Sequence, residues 1–233
     1  VRELLQRFQM TGCKPVSTPL PYDGRVYSAK PSELIDEEQR RLYMQLIGSL
    51  QWVANYTRPD IAFAVNQLSR FTTVPGKMHV YYARHVLRYL AGTVNQGIGY
   101  RRDASPQMTH MPANAYPPNY PILDGYCDAD HAGDEETRIS VSGILLYMSG
   151  GPIHWLSRRQ DVVSISSLES EYYAGSVCAC EVEYFRHLLA RLGVPQTSAT
   201  CIGEDNIACV YVQSKRYGAL KRSKHIDTRV HRL

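Results

Sequence analysis

The chain has 233 residues, 44% hydrophobic and 21% charged, the profile of a folded globular protein with room for one large core or, on domain size, two modest ones. No apolar run is long enough to cross a bilayer, which argues against membrane insertion, and a formal net charge of +4 is compatible with a nucleic-acid partner without demanding one. Six cysteines with no CxxC pair and no preceding secretory signal argue against disulfides and structural zinc and point to a reducing compartment.

In chain order, a Pro- and Gly-containing stretch runs through Pro31. Asp36 with Gln39 three residues on then resembles a capping box, and Leu42, Leu46, Ile47, Leu50 and Val53 mark one apolar face of a helix ending near Asn55. Pro59 and Asp60 open a second helix with Ile61, Val65 and Leu68 in phase. Val80, Ala83, Leu87 and Leu90 define a third that stops near Gly92. This third helix also carries Lys77, His79, Arg84, His85 and Arg88 with Tyr81, Tyr82 and Tyr89 interleaved. Such a face can track a phosphate backbone or be a solvated basic face beside core tyrosines.

Between Arg101 and Pro121 the proline-rich sequence has no helical or strand period and reads as a linker. Beyond it the pattern turns to strands. Pro121 to Asp128 is the first, and Ile139, Val141, Gly143, Leu145 and Tyr147 alternate along a second. A third covers Ile153 to Ser157 after a Gly150-Gly151 hairpin turn. A long helix from about Leu168 to Leu192 follows, ended by Gly193 and Pro195. A short strand through Thr200 to Gly203, a helix from about Asp205 and a final helix opening near Ile226 complete the order. The fold class expected is α/β, a mixed sheet with flanking helices, preceded by a small, mostly helical domain. The start on Val1 and the stop at Leu233 read as those of a piece of a longer protein, truncated at its C-terminal end.

Four acids fall at the ends or starts of these elements: Asp128, Glu171, Asp205 and Asp227. Convergent carboxylates of this kind suit a pair of hard divalent cations, magnesium first and manganese as an alternative, and hence two-metal phosphodiester hydrolysis. Taken singly, each acid also has a plain role as a turn residue or a helix N-terminal charge. Glu169 and Glu171 lie about 200° apart on a helix, so only one can face the metals. Asp130, in phase with Asp128 if the strand continues, is the main competitor for that position, but Asp130 and Asp134 read as turn residues.

Four ordered segments carry a family resemblance: Asp128-Ala-Asp-His-Ala-Gly-Asp134, Ser166-Ser-Leu-Glu-Ser-Glu-Tyr172, Glu204-Asp-Asn206 and Lys224-His-Ile-Asp227. They resemble the successive signatures of the ribonuclease H domain of copia-type LTR retrotransposon polyproteins. Upstream, Cys13 to Pro19, Gly48-Ser49-Leu50 and Thr57 to Val65 resemble the part of the same polyprotein that joins the reverse-transcriptase palm to that domain. The resemblance implies a thumb- or connection-like region over 1–105, a linker over 106–121 and a ribonuclease H-like domain over 122–233.

What the resemblance further implies is endonucleolytic hydrolysis of the RNA strand of RNA–DNA hybrids, with Asp128, Glu171, Asp205 and Asp227 as the catalytic, metal-holding set. Glu171 is favoured over Glu169 because it occupies the family's acid before an aromatic residue. Lys215, Arg216, Lys221, Arg222 and Lys224 form a basic loop suited to phosphates, or a solvated charge run. His131 stands where the family usually has tryptophan and reads as structural rather than as a ligand. Glu204 stands where cysteine is frequent and either adds charge beside the site or faces solvent. His225 reads as positioning the chain, with proton transfer the alternative. The implied partners are the hybrid and the rest of the polyprotein, with no membrane, in a cytoplasmic virus-like particle or the nucleus. No Asp-Asp pair of the polymerase kind occurs in the chain, so DNA synthesis is not expected. An integrase is disfavoured by the element order, the four-acid pattern and the lack of a His/Cys zinc module. The alternative from another class is a catalytically inert nucleic-acid-binding or connection module, or a decayed retroelement remnant.

Overall fold

A computed structural model describes residues 1–21, 25–102 and 120–214. Asp227, His225 and the basic residues Lys215, Arg216, Lys221, Arg222 and Lys224 lie outside them. The chain divides into two compact units, Val1–Ile98 and Gly99–Leu233. Among the described residues, no helix is long and apolar enough to cross a membrane.

The first unit is helical: α1 (Arg2–Arg7), α2 (Glu37–Tyr56), α3 (Ala62–Ser69, entered through a 3-10 turn at Pro59–Ile61) and α4 (Lys77–Gly92). Helix α1 is an addition to the sequence reading, since six residues are too few to display a period. Helix α2 starts at the expected cap, where the Asp36 carboxylate accepts the Gln39 N–H at 2.8 Å. Its buried face is Tyr43, Leu46, Ile47, Leu50 and Ala54, whereas Leu42, expected inside, is 53% exposed. Tyr43 takes that place because its hydroxyl donates to the Leu68 carbonyl at 2.7 Å, so the ring is buried with its polar end satisfied.

Thr57 to Val65 holds an ion pair inside this unit. The Arg58 side chain is 2% exposed, with Nη2 2.6 Å from the Asp60 carboxylate. It also donates to the Thr93 carbonyl and hydroxyl, while the Tyr89 hydroxyl donates to Asp60. These bonds tie the entry of α3 to the end of α4. The basic track expected along α4 is interrupted. His79 and His85 are buried, and both His79 ring nitrogens are engaged, one by the Gly76 N–H and the other by the Tyr27 carbonyl. Tyr89 is engaged by Asp60, so only part of the set faces outward.

The second unit contains β1 (Asp124–Asp130), β2 (Val141–Met148), β3 (Gly151–Arg159), α5 (Ser167–Arg191), β4 (Ile202–Gly203) and α6 (Ile207–Ser214). The sheet order is β3-β2-β1-β4, with β1, β2 and β3 antiparallel and β4 parallel to β1. The β2–β3 turn is Ser149–Gly150, one residue earlier than expected, and both residues have positive φ (53° and 76°), as a two-residue primed turn requires. Helix α5 covers the face carrying Cys127, Ala129, Ile144 and Leu146. The set that alternates in the sequence, Val141, Gly143, Leu145 and Tyr147, lies on the other face, and Ile139, expected in the same strand, precedes it. Asp130, expected in a turn, is the last residue of β1.

Candidate metal centre

Among the described residues, strand β4 pairs with β1 only at Gly125 and Tyr126, so the edge of β1 beyond Tyr126 has no paired strand there and forms a notch. Three elements deliver acids to it. Asp128 comes from β1 itself, with Gly143 directly opposite on β2, so no β2 side chain stands over its carboxylate. Glu171 comes from the first turns of α5, and Asp205 from the segment between β4 and α6. One carboxylate oxygen from each of the three lies within 4.8 Å of the others. Asp128 and Asp205 are exposed, while Glu171 is only 6% exposed.

The start of α5 is held firmly. Ser166 caps it by accepting the Glu169 N–H, and the Glu169 carboxylate accepts the Ile165 N–H at 2.9 Å. Glu169 thus serves the helix end, and Glu171 occupies the notch. Gln160, 3% exposed, donates from Nε2 to the Ser142 hydroxyl and the Ser170 carbonyl and accepts from Ser164, which fastens this turn to the sheet. Sequence reading missed Gln160, because a polar residue just past a strand carries no periodic signal. The turn after β1 is fixed by Asp134, which accepts from the Glu136 N–H and the Thr137 hydroxyl and pairs with Arg159 at 3.5 Å. The Asp130 carboxylate lies over Gly133, in the space that a Cβ there would fill.

Electrostatics single out Glu171. Burial first, then the negative charges of Glu204, Asp128 and Asp205, push its carboxyl up to about 7, against a smaller opposing pull from the Ala129 N–H. Its Oε2 is buried and accepts no hydrogen bond, a vacancy that a hard cation between three carboxylates would fill. The residues therefore fit a divalent ion. Glu204 faces the protein: its carboxylate accepts the Asn206 N–H at 3.0 Å and the Cys127 thiol at 3.4 Å. Burial raises its pKa as well, with the Asp205 and Asp128 charges adding to the rise. Beneath the acids, Cys209 packs with Tyr172, and burial followed by the charges of Glu204 and Glu171 pushes its thiol up to about 12. His131 is outside the carboxylate cluster.

No family model and no solved structure matches the chain. Curated proteins do. It is 34% identical over 212 residues, 91% of its length, to the retrovirus-related Pol polyprotein from transposon RE1 of Arabidopsis thaliana. It is 34% identical over 99% of its length to the corresponding polyprotein from transposon TNT 1-94 of Nicotiana tabacum. The chain spans 13% and 16% of those two polyproteins. A shorter relative, secreted RxLR effector protein 161 of Plasmopara viticola, is 36% identical over 132 residues, which is 57% of this chain and 82% of that protein. The similarity runs through both units and through the segments that place the three acids: the chain belongs to the copia-type, retrovirus-related Pol polyproteins of transposons.

Proposed function

We propose that the chain is the ribonuclease H part of a retrotransposon reverse transcriptase, cutting the RNA strand of RNA–DNA hybrids with two magnesium ions, or manganese in their place. The observation that carries this reading is the convergence of Asp128, Glu171 and Asp205 at one notch of a mixed sheet, with a buried Glu171 oxygen lacking a partner. The four-strand sheet with flanking helices is compatible with a ribonuclease H-like fold. On this reading, residues 1–105 are the thumb- or connection-like region, 106–121 the linker and 122–233 the nuclease, with Asp227 as fourth ligand and the basic loop over 215–224 on the phosphates. The work belongs wherever the element is copied, in a cytoplasmic particle or the nucleus.

Asp128, Glu171 and Asp205 would hold the magnesium, whose chemistry there would be that of a Lewis acid for the attacking water and the departing 3′ oxygen. The chain's own groups hold rather than attack. Asp128 and Asp205 offer exposed carboxylates from the sheet side, and Glu171 offers an oxygen fixed in depth by the α5 cap and Gln160. Selectivity rests on the 2′-hydroxyl and the groove shape of the hybrid, so sequence preference is weak.

The test is incubation of the chain with labelled hybrid and with single-stranded RNA, in magnesium or in EDTA, beside Asp128→Asn. Metal-dependent cutting of the hybrid alone, lost in the variant, is the expected result. Binding without cutting by the unmutated chain would overturn the assignment in favour of an inert nucleic-acid-binding module.

A further inference from the structure

The first unit carries a groove of about 470 Å³ that has no part in the metal centre. One wall is α4, where Lys77, Val80, Arg84 and Leu87 recur at the spacing of a single helix face. The other is the start of α2, and residues just past α1 close one end. The floor is mostly aliphatic, with Ile35, Leu46, Val80 and Leu87, joined by the rings of Phe8 and the buried Tyr43. The exposed Leu42 extends it onto the rim.

The rim is cationic. Arg7, Lys77 and Arg84 are exposed and line the groove, and no acid lines it. None of the three is in an ion pair among the described residues. Lys77 and Arg84 are two helical turns apart, about 10 Å along α4, so the charge is spread along the groove instead of focused at a point. A compact anion such as phosphate would engage one end only. Nucleic acid is the poorer match, because bases bind by stacking on open aromatic rings, whereas of the two rings in the lining Tyr43 is buried and Phe8 has the Arg7 guanidinium 5.6 Å over its face. Aliphatic side chains flanked by carboxylates match both the floor and the rim.

We propose that this groove docks an acidic amphipathic helix, its leucine-type side chains on the aliphatic floor and its carboxylates against Arg7, Lys77 and Arg84. Fluorescence anisotropy on the full chain tests it, with a labelled helix-forming peptide of about 16 residues carrying leucines on one face and glutamates beside them. The comparison probes are the same leucine peptide with lysines for glutamates, a scrambled glutamate peptide, and an unlabelled RNA–DNA hybrid as competitor.

The glutamate peptide should bind at least about tenfold tighter than either control. The exposed pair Lys77→Glu and Arg84→Glu should reverse the preference towards the lysine peptide, and Leu42→Ser should weaken both, with circular dichroism showing the fold retained. Equal binding of the glutamate and lysine peptides, unaltered by the charge reversal, would overturn the proposal. So would displacement of the peptide by the hybrid, which would assign the groove to nucleic acid.

Discussion

Replacing Glu171 with glutamine should make the metal-free chain more stable, not less, while removing its response to magnesium. The Glu171 carboxyl is pushed up to about 7 from the 4.5 of an unperturbed glutamic acid, a gap that corresponds to about 3 kcal/mol. The folded chain holds this proton more tightly than the unfolded chain does. The associated stability is therefore fully present below pH 4.5 and is lost as pH rises through about 7. Above that pH the metal-free fold carries a buried, ionised acid beside three others. Glutamine keeps the shape, can retain the Ala129 N–H bond through its amide oxygen, and offers donors to neighbouring carboxylates.

The variant should gain up to about 3 kcal/mol at pH 8 and nothing at pH 4. The two tryptophans make this measurable unit by unit: Trp52 belongs to the first and Trp155 to β3 of the second. Urea titration in EDTA, in a Trp52→Phe background so that Trp155 alone reports, gives the midpoint of the second unit at each pH. Magnesium should then raise the midpoint of the unmutated chain and leave the variant unchanged. A midpoint that falls on substitution at pH 8, or a gain equal at both pH values, would refute the account of Glu171 as an uncompensated buried acid.

Other substitutions separate structure from site. Arg58→Ala leaves Asp60 and Thr93 without their buried partner and should destabilise the first unit by roughly 3 kcal/mol, read from Trp52 fluorescence, with the Trp155 transition unmoved. Gln160→Ala leaves the Ser170 carbonyl and the Ser142 hydroxyl short of a donor and should cost about 1–3 kcal/mol in the second unit. Magnesium binding, measured by calorimetry, should weaken in step as the first turn of α5 loosens. Gly133→Ala forces the Asp130 carboxylate to rotate away from the turn and, because that is the end of an exposed side chain, should cost less than about 1 kcal/mol, shown by a Trp155 midpoint that barely moves.

Residues whose cues are local were legible in the sequence. Asp36 sits at a helix start because a short oxygen-bearing side chain accepts an N–H of the first turn, and that needs only a few residues of context; the cap at Ser166, two residues before the helix start expected near Leu168, was not read. Of the acids, Glu171 near the start of α5 and Asp205 just past β4 lie where the sequence put them, whereas Asp128 lies within β1, which runs on to Asp130. What escaped depends on distant partners. Leu42 and Tyr43 compete for one helix face, and Tyr43 goes inside because the Leu68 carbonyl, 25 residues away, takes its hydroxyl. His79 looked like a phosphate contact, yet it is buried, stacked on Phe71 at 4.2 Å and bonded to the Tyr27 carbonyl. On β2 both alternating sets are apolar, Leu145 and Tyr147 on one face and Ile144 and Leu146 on the other, so alternation alone does not say which face the helix covers. Only the position of α5 decides it.

Glu204 shows how the notch differs from an ordinary acidic surface. At this position the family often has cysteine, and here the carboxylate is turned inward, held by the Asn206 N–H and the Cys127 thiol. Its bonds are to groups of the fold, and it is absent from the trio whose oxygens converge. Its charge nevertheless heads the like-charge influences on Glu171. Among the described residues, Asp128, Glu171, Glu204 and Asp205 form no ion pair. Neutralising Glu171 would relieve this repulsion in the metal-free chain. A cation bound among the carboxylates would offset the same repulsion and give the buried Glu171 oxygen the partner it lacks. The repulsion that would destabilise the metal-free notch is thus the feature that would give it affinity for magnesium.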